Sequence, residues 1–161
     1  MVDKVRQGKK NRAAGAAFEL RTRKDMEEKG WIVDKWSNNV EFDVEEIRDD
    51  TLLKFNRIGK LIPAKRKYAG PGRPMAIGTG FPDFISFRPG FCSLCSARGY
   101  KVKANYEVIG VECKTNGYLD KEEKKKCEWL LENKIFARIY IASKTKVKNK
   151  IVINYKEFKN G

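Results

Sequence analysis

The chain of 161 residues contains no histidine. That absence excludes a histidine general base, histidine-ligated zinc and any nuclease chemistry that runs through imidazole. Catalysis, if there is any, must use carboxylates, lysine, hydroxyls or a bound metal ion. Glutamine occurs once, at Gln7, in a chain full of lysine, glutamate and isoleucine, a usage seen in heat-adapted proteins. No apolar run is long enough to span a membrane. The first residues, M-V-D-K-V-R-Q-G-K-K, lack the apolar segment of a secretory signal, so an intracellular, cytoplasmic protein is expected. Cysteine is scarce too: the four thiols are too few and too unevenly spaced for a disulfide scaffold. Cys92 and Cys95 form a C-x-x-C in a loop at 88–105, but a zinc ribbon needs a second such pair. Cys113 and Cys127 do not supply it, since one falls in an apolar strand and the other on a helix. Free thiols, a local disulfide and zinc all stay open for Cys92 and Cys95.

Positive charge is in excess. Lys and Arg number 35 against 21 Asp and Glu, a formal charge of +14. On a chain this small, that predicts attraction to a polyanion with strong salt dependence, and nucleic acid is the simplest candidate. The basic residues do not line one amphipathic helix, so no membrane partner is expected. Solubility is the other use of such charge. A hydrophobic content of 41% suffices for one folded domain over residues 1–161.

Two short segments carry the chemistry: G-F-P-D-F-I-S-F at 80–87 and V-I-G-V-E-C-K-T at 108–115. Each sets charge inside an apolar, strand-forming run. Alternation along a strand turns Val111 and Cys113 to one face and Glu112 and Lys114 to the other. A carboxylate and an ammonium on a buried strand cost desolvation energy unless something uses them. Asp83 opens the other strand, just after Pro82. Pairing the two strands gathers Asp83, Glu112 and Lys114 into one cluster. Two carboxylates suit Mg²⁺, with Mn²⁺ as a substitute, and a lysine beside them can orient water or stabilise developing negative charge.

P-D followed by E-x-K resembles the PD-(D/E)xK nuclease superfamily. G-A-A-F-E-L at 15–20, opening a helix that ends at Gly30 and Trp31, resembles the first helix of archaeal Holliday-junction resolvases and related nucleases of archaeal viruses and plasmids. The resemblance covers residues 12–38 and 79–143. It implies a restriction-endonuclease-like core and metal-dependent hydrolysis of DNA. Asp83 and Glu112 would then bind metal, with the backbone carbonyl of Cys113 as a further ligand. Lys114 would position the attacking water, and Glu19 would join metal or water from the helix. Ser37, in K-W-S-N-N, falls where those enzymes carry a serine near the scissile strand. Junction cutting would need two sites, hence a homodimer. The chain departs from the pattern in a segment inserted at 39–80 and in the long loop at 88–105, both where substrate would touch. A nuclease for linear duplex DNA or DNA ends is therefore the alternative within the class. A DNA-binding protein that keeps the fold without cutting is the alternative outside it.

The rest of the chain predicts an α/β domain with a mixed central sheet flanked by helices. Residues 1–11 are expected to be loose. A helix comes next at 11–29, with Ala13, Ala17 and Leu20 at helical spacing and Phe18 beside them, and Gly30 as its stop. On that helix Glu19 is also placed to pair with Arg23 at i,i+4. Residues 31–36 read as a strand, and 40–62 as either a helix or a hairpin. The Pro- and Gly-rich stretch 63–74 carries Lys65, Arg66, Lys67 and Arg73 around Tyr68. It could track phosphates and stack a base, or be an ordinary solvated loop. Residues 81–87 and 106–114 are expected to pair antiparallel. Asp120 and Glu123 form a D-x-x-E capping box that opens a helix with Cys127, Leu130 and Leu131 as its apolar face. Strands are expected at 137–142 and within 147–158. Lys144, Lys146, Lys148 and Lys150 would share one face of an alternating strand and line DNA.

Overall fold

The computed structural model describes residues 4–49, 52–64, 66–67, 76–77, 80–89, 106–148 and 150–159, without the side chains of 5, 43–49, 52–58, 66–67 and 76–77. Helix α1 spans Lys4–Glu28. The basic N-terminal segment expected to be loose is thus helical from Lys4. Lys, Arg, Gln and Ala are good helix formers, and no proline interrupts them. The buried stripe of α1 is Phe18, Thr22 and Met26. Ala13, Ala17 and Leu20 are exposed instead. Phe18 and Met26 have more apolar surface to remove from water than alanine does, and they decide which face docks. Gly30, at φ 83°, ends the helix as expected. There the Trp31 N–H donates to the Met26 carbonyl at 3.1 Å, closing the left-handed cap.

In chain order the other elements are β1 (Ile32–Lys35), β2 (Asn38–Asp49), β3 (Leu52–Pro63), β4 (Arg66–Lys67), β5 (Ala76–Ile77), β6 (Phe84–Pro89), β7 (Tyr106–Cys113), α2 (Lys121–Glu132), β8 (Arg138–Val147) and β9 (Lys150–Glu157). Five strands form a mixed sheet in the order β1-β6-β7-β8-β9. β7 and β8 run parallel, with α2 in the crossover between them, and the neighbouring pairs are antiparallel. The protein is an α/β fold.

The sheet separates two cores. On one face Phe18 and Met26 of α1 pack with Val33, Phe84, Ile109, Val111 and Ala142. On the other, Cys127 and Leu130 of α2 pack with Val40, Phe81, Phe136 and Ile139. β7 therefore sends Ile109 and Val111 toward α1, and Gly110 and Glu112 toward α2. Gly110 permits a close approach between chain segments. A Cβ there would stand 2.8 Å from Pro82 Cγ and 3.3 Å from the Phe136 ring. Its absence lets Pro82 lie close on the strand, which sets the next residue, Asp83, beside Glu112.

The segment 40–62 is a hairpin: β2 pairs antiparallel with β3 from Asn38↔Pro63 to Asp49↔Leu52. Its base docks on the α2 side, where Val40 is buried and Phe42 packs into the second core. Gly59, opposite Phe42, has no side chain, and the Trp129 indole of α2 occupies the space a Cβ would need. Among the described residues no helix is long and apolar enough to cross a membrane.

Candidate active site

Register places the site. Phe84 pairs with Val111, so the next step along the two strands puts Asp83 beside Glu112. Two hydrogen bonds lock the residues together. The Asp83 N–H donates to Glu112 Oε2 at 3.1 Å, and the Cys113 N–H donates to Asp83 Oδ2 at 2.9 Å. Lys114 comes directly after, and its own N–H donates to the Ala142 carbonyl of β8 at 2.9 Å. Its ammonium lies 3.1 Å from Glu112 Oε1 and also donates to Glu123 Oε1. The expected cluster of Asp83, Glu112 and Lys114 therefore forms, at the end of the sheet where β6 begins and β7 stops.

Glu112 is only 5% exposed. Burial, and then the neighbouring Asp83 carboxylate, push its carboxyl up to about 8, against the pull of Lys114. Asp83 is also raised, by burial first and by the negative charge of Glu19, while the Cys113 N–H, Lys35 and Lys114 oppose the rise. Burial alone would lower Lys114, but its bonds to Glu123 and Glu112 raise it. The result is two crowded carboxylates with too little positive charge around them. Burial drives the Cys113 thiol up, so it is protonated at neutral pH and offers no thiolate. Cys127 is pushed up to about 12 for the same leading reason, and both cysteines are free.

Glu19 reaches the neighbourhood from α1, close enough for its charge to act on Asp83. Its carboxylate accepts from the Lys35 ammonium. The alternative pairing with Arg23 does not form, since Arg23 Nε donates to Glu27 at 2.8 Å. Among the described residues no three or more His, Cys, Asp or Glu side chains stand together as a metal-holding group. Asp83 and Glu112 are thus a pair, with Glu19 outside it. Ser37 is exposed at the edge of the site. The backbone N–H of its neighbour Trp36 donates to the Asp83 carbonyl at 3.1 Å, and the Ser37 carbonyl accepts the Ala64 N–H at 2.8 Å.

The basic candidates are scattered. Lys65 and Arg73 lie outside the described residues, as do Tyr68, Cys92 and Cys95. Arg66 and Lys67 form β4, paired with β5. Lys144 and Lys146 are exposed on β8. Lys148 lies past the end of β8 with φ 42°, and Lys150 starts β9 opposite Val147. The four lysines therefore do not share one strand face, because the chain turns at Lys148.

Two residues of the neighbourhood carry little signal in the sequence. Lys35 pairs with Glu19 and sits 4.8 Å over the Phe84 ring. In sequence it is only the second of two charges, after Asp34, between W-I-V and Trp36. Glu123 is legible as a helix cap, and it is one: its N–H donates to Asp120 Oδ1 at 2.8 Å, and its Oε2 accepts the Asp120 N–H at 3.0 Å. The cap leaves the other carboxylate oxygen for Lys114, and the D-x-x-E pattern does not reveal that consequence. Compared with known proteins, the chain significantly matches no family model, no curated protein and no solved structure.

Proposed function

We propose that this chain is a metal-dependent DNA endonuclease of the Holliday-junction-resolvase-like type. One observation carries the reading: a buried Glu112 whose carboxylate accepts the Asp83 N–H, a neighbouring Asp83 whose carboxylate accepts the Cys113 N–H, and Lys114 3.1 Å from Glu112. Such crowding of carboxylates costs stability and is kept where it serves a site.

The donor set fits a hard divalent cation. Mg²⁺ takes one or two carboxylates and completes its shell with water and phosphate oxygens, so the Asp83–Glu112 pair with the Cys113 carbonyl would hold it, and Mn²⁺ could replace it. When bound, the ion supplies Lewis acidity toward the scissile phosphate. The chain's own residues do the rest. Asp83 and Glu112 are prearranged, so little reorganisation is needed. The Lys114 ammonium is aimed where it can hold a water or neutralise charge developing on the phosphate. The net charge of +14 favours DNA as the partner, and an enzyme that cuts DNA would act inside the cell.

A duplex-directed nuclease is the second reading. The hairpin β2–β3 supports it: strands spanning Asn38–Asp49 and Leu52–Pro63 leave the edge of the site, where the Phe81 N–H donates to the Asn38 carbonyl at 2.8 Å. A hairpin there would add a wall to the substrate groove. Cleavage of a four-way junction, a linear duplex and a single strand, each with Mg²⁺ and with chelator, tests both readings. Junction cutting by a homodimer supports the first, and preference for duplex or ends supports the second. Tight binding without cleavage of any substrate would leave a DNA-binding protein.

A further inference from the structure

Lys114 is gripped from two sides, and the second grip comes from a helix cap. Its ammonium meets Glu112 Oε1 at 3.1 Å and donates to Glu123 Oε1. Glu123 cannot swing its carboxylate away freely, because Oε2 accepts the backbone N–H of Asp120 at 3.0 Å. The cap is the first turn of α2, whose Cys127 and Leu130 are fully buried against the sheet. Glu123 itself is largely covered, with a side chain 19% exposed. In a capping box the N3 carboxylate, in this case that of Glu123, ordinarily serves only the N-cap N–H. Here it spans from the cap to the lysine of the E-x-K motif.

We propose that Glu123 is a positioning residue: it fixes the Lys114 ammonium beside Glu112 with two of its three protons engaged, leaving one for water or phosphate. The proposal rests on the nuclease reading for its consequence in catalysis, but not for the grip itself. Glu123→Gln separates the two roles. The amide oxygen can serve the Asp120 N–H, and the amide nitrogen then faces the ammonium and cannot accept from it. Asp120→Ala does the reverse. It removes the acceptor for the Glu123 N–H and weakens the cap, but leaves the Glu123 carboxylate to hold Lys114.

The test has two arms. In metal-free protein without DNA, limited acetylation mapped by mass spectrometry reads the accessibility of Lys114 relative to the exposed Lys144. Lys114 should acetylate severalfold faster in Glu123→Gln than in wild type, and at the wild-type rate in Asp120→Ala. In single-turnover cleavage at saturating DNA, Glu123→Gln should be slower by about tenfold or more with unchanged DNA affinity. Asp120→Ala should melt lower but cut at the wild-type rate. Unchanged acetylation in Glu123→Gln overturns the proposal whether or not the protein cuts DNA. A Glu123→Gln rate within about twofold of wild type, or an Asp120→Ala variant with the same defects as Glu123→Gln, overturns it as well.

Discussion

Asp83 stands between two lysine–carboxylate pairs that are alike in chemistry and differ in burial. On the α2 side the Glu112 and Lys114 side chains are 7% and 26% exposed. On the α1 side Glu19 and Lys35 are 27% and 46% exposed. Water screens the second pair, and an exposed pair of this kind contributes at most about 1 kcal/mol. The first pair is shielded, so its charges act strongly on each other and on Asp83, and removing one member leaves the other poorly solvated. The inner pair is therefore the candidate chemistry, and the outer pair tunes its field. That contrast can be broken in graded steps.

The largest effect belongs to the carboxylates. Asp83→Ala and Glu112→Ala should each slow Mg²⁺-dependent cleavage by at least about a hundredfold. DNA affinity, read by fluorescence anisotropy, should hold or tighten, because each change removes negative charge. A matching loss of affinity would mean that the residues serve the fold instead.

Next comes the lysine comparison. Lys114→Met should destabilise the protein by about 1–2 kcal/mol, less than a fully buried pair would lose, since Glu112 can take up a proton. Lys35→Met should cost less than about 1 kcal/mol. Cleavage should fall in the same order, with Lys114→Met far slower and Lys35→Met reduced only severalfold. Equal defects from the two variants would erase the distinction between inner and outer pairs. Thermal melts and single-turnover rates measure both.

Gly110→Ala probes how the inner pair is placed. The new methyl would press on Pro82 at 2.8 Å. Overpacking of this kind costs about 1–3 kcal/mol. Displacing Asp83 should also slow cleavage by about tenfold. A variant that melts lower but cuts normally would show that Pro82 does not set Asp83.

The smallest effect lies far from the chemistry. Lys144→Ala with Lys146→Ala should flatten the salt dependence of DNA binding by about two units if both touch phosphate. The rate at saturating DNA should not change. A wild-type slope would turn β8's exposed lysines away from DNA.

Much of the inner pair is legible in the chain. Period-two patterning of V-I-G-V-E-C-K marks β7 and the facing of Glu112 and Lys114, and D-x-x-E marks the start of α2. Three features are not legible. The buried face of α1 is obscured because alanines repeat at helical spacing there, while the bulk that docks is Phe18 and Met26. In the 40–62 segment Val40, Phe42 and Val44 alternate as in a strand while Val40, Val44 and Ile47 also recur at helical spacing, and its docking depends on Trp129, far along the chain. Lys35 and Glu123 reach the site through tertiary contacts with Glu19 and Lys114, which no local pattern encodes.

The central claim is that Asp83 and Glu112 form a metal-dependent cutting site, and one assay addresses it directly. Wild type and Asp83→Ala are incubated with four-way junction, linear duplex and single strand, in Mg²⁺ and in excess chelator. The expected result is cleavage of at least one DNA by wild type in Mg²⁺, none in chelator, and none by Asp83→Ala. Cleavage that survives chelator or the loss of Asp83, or no cleavage of any DNA, would contradict it.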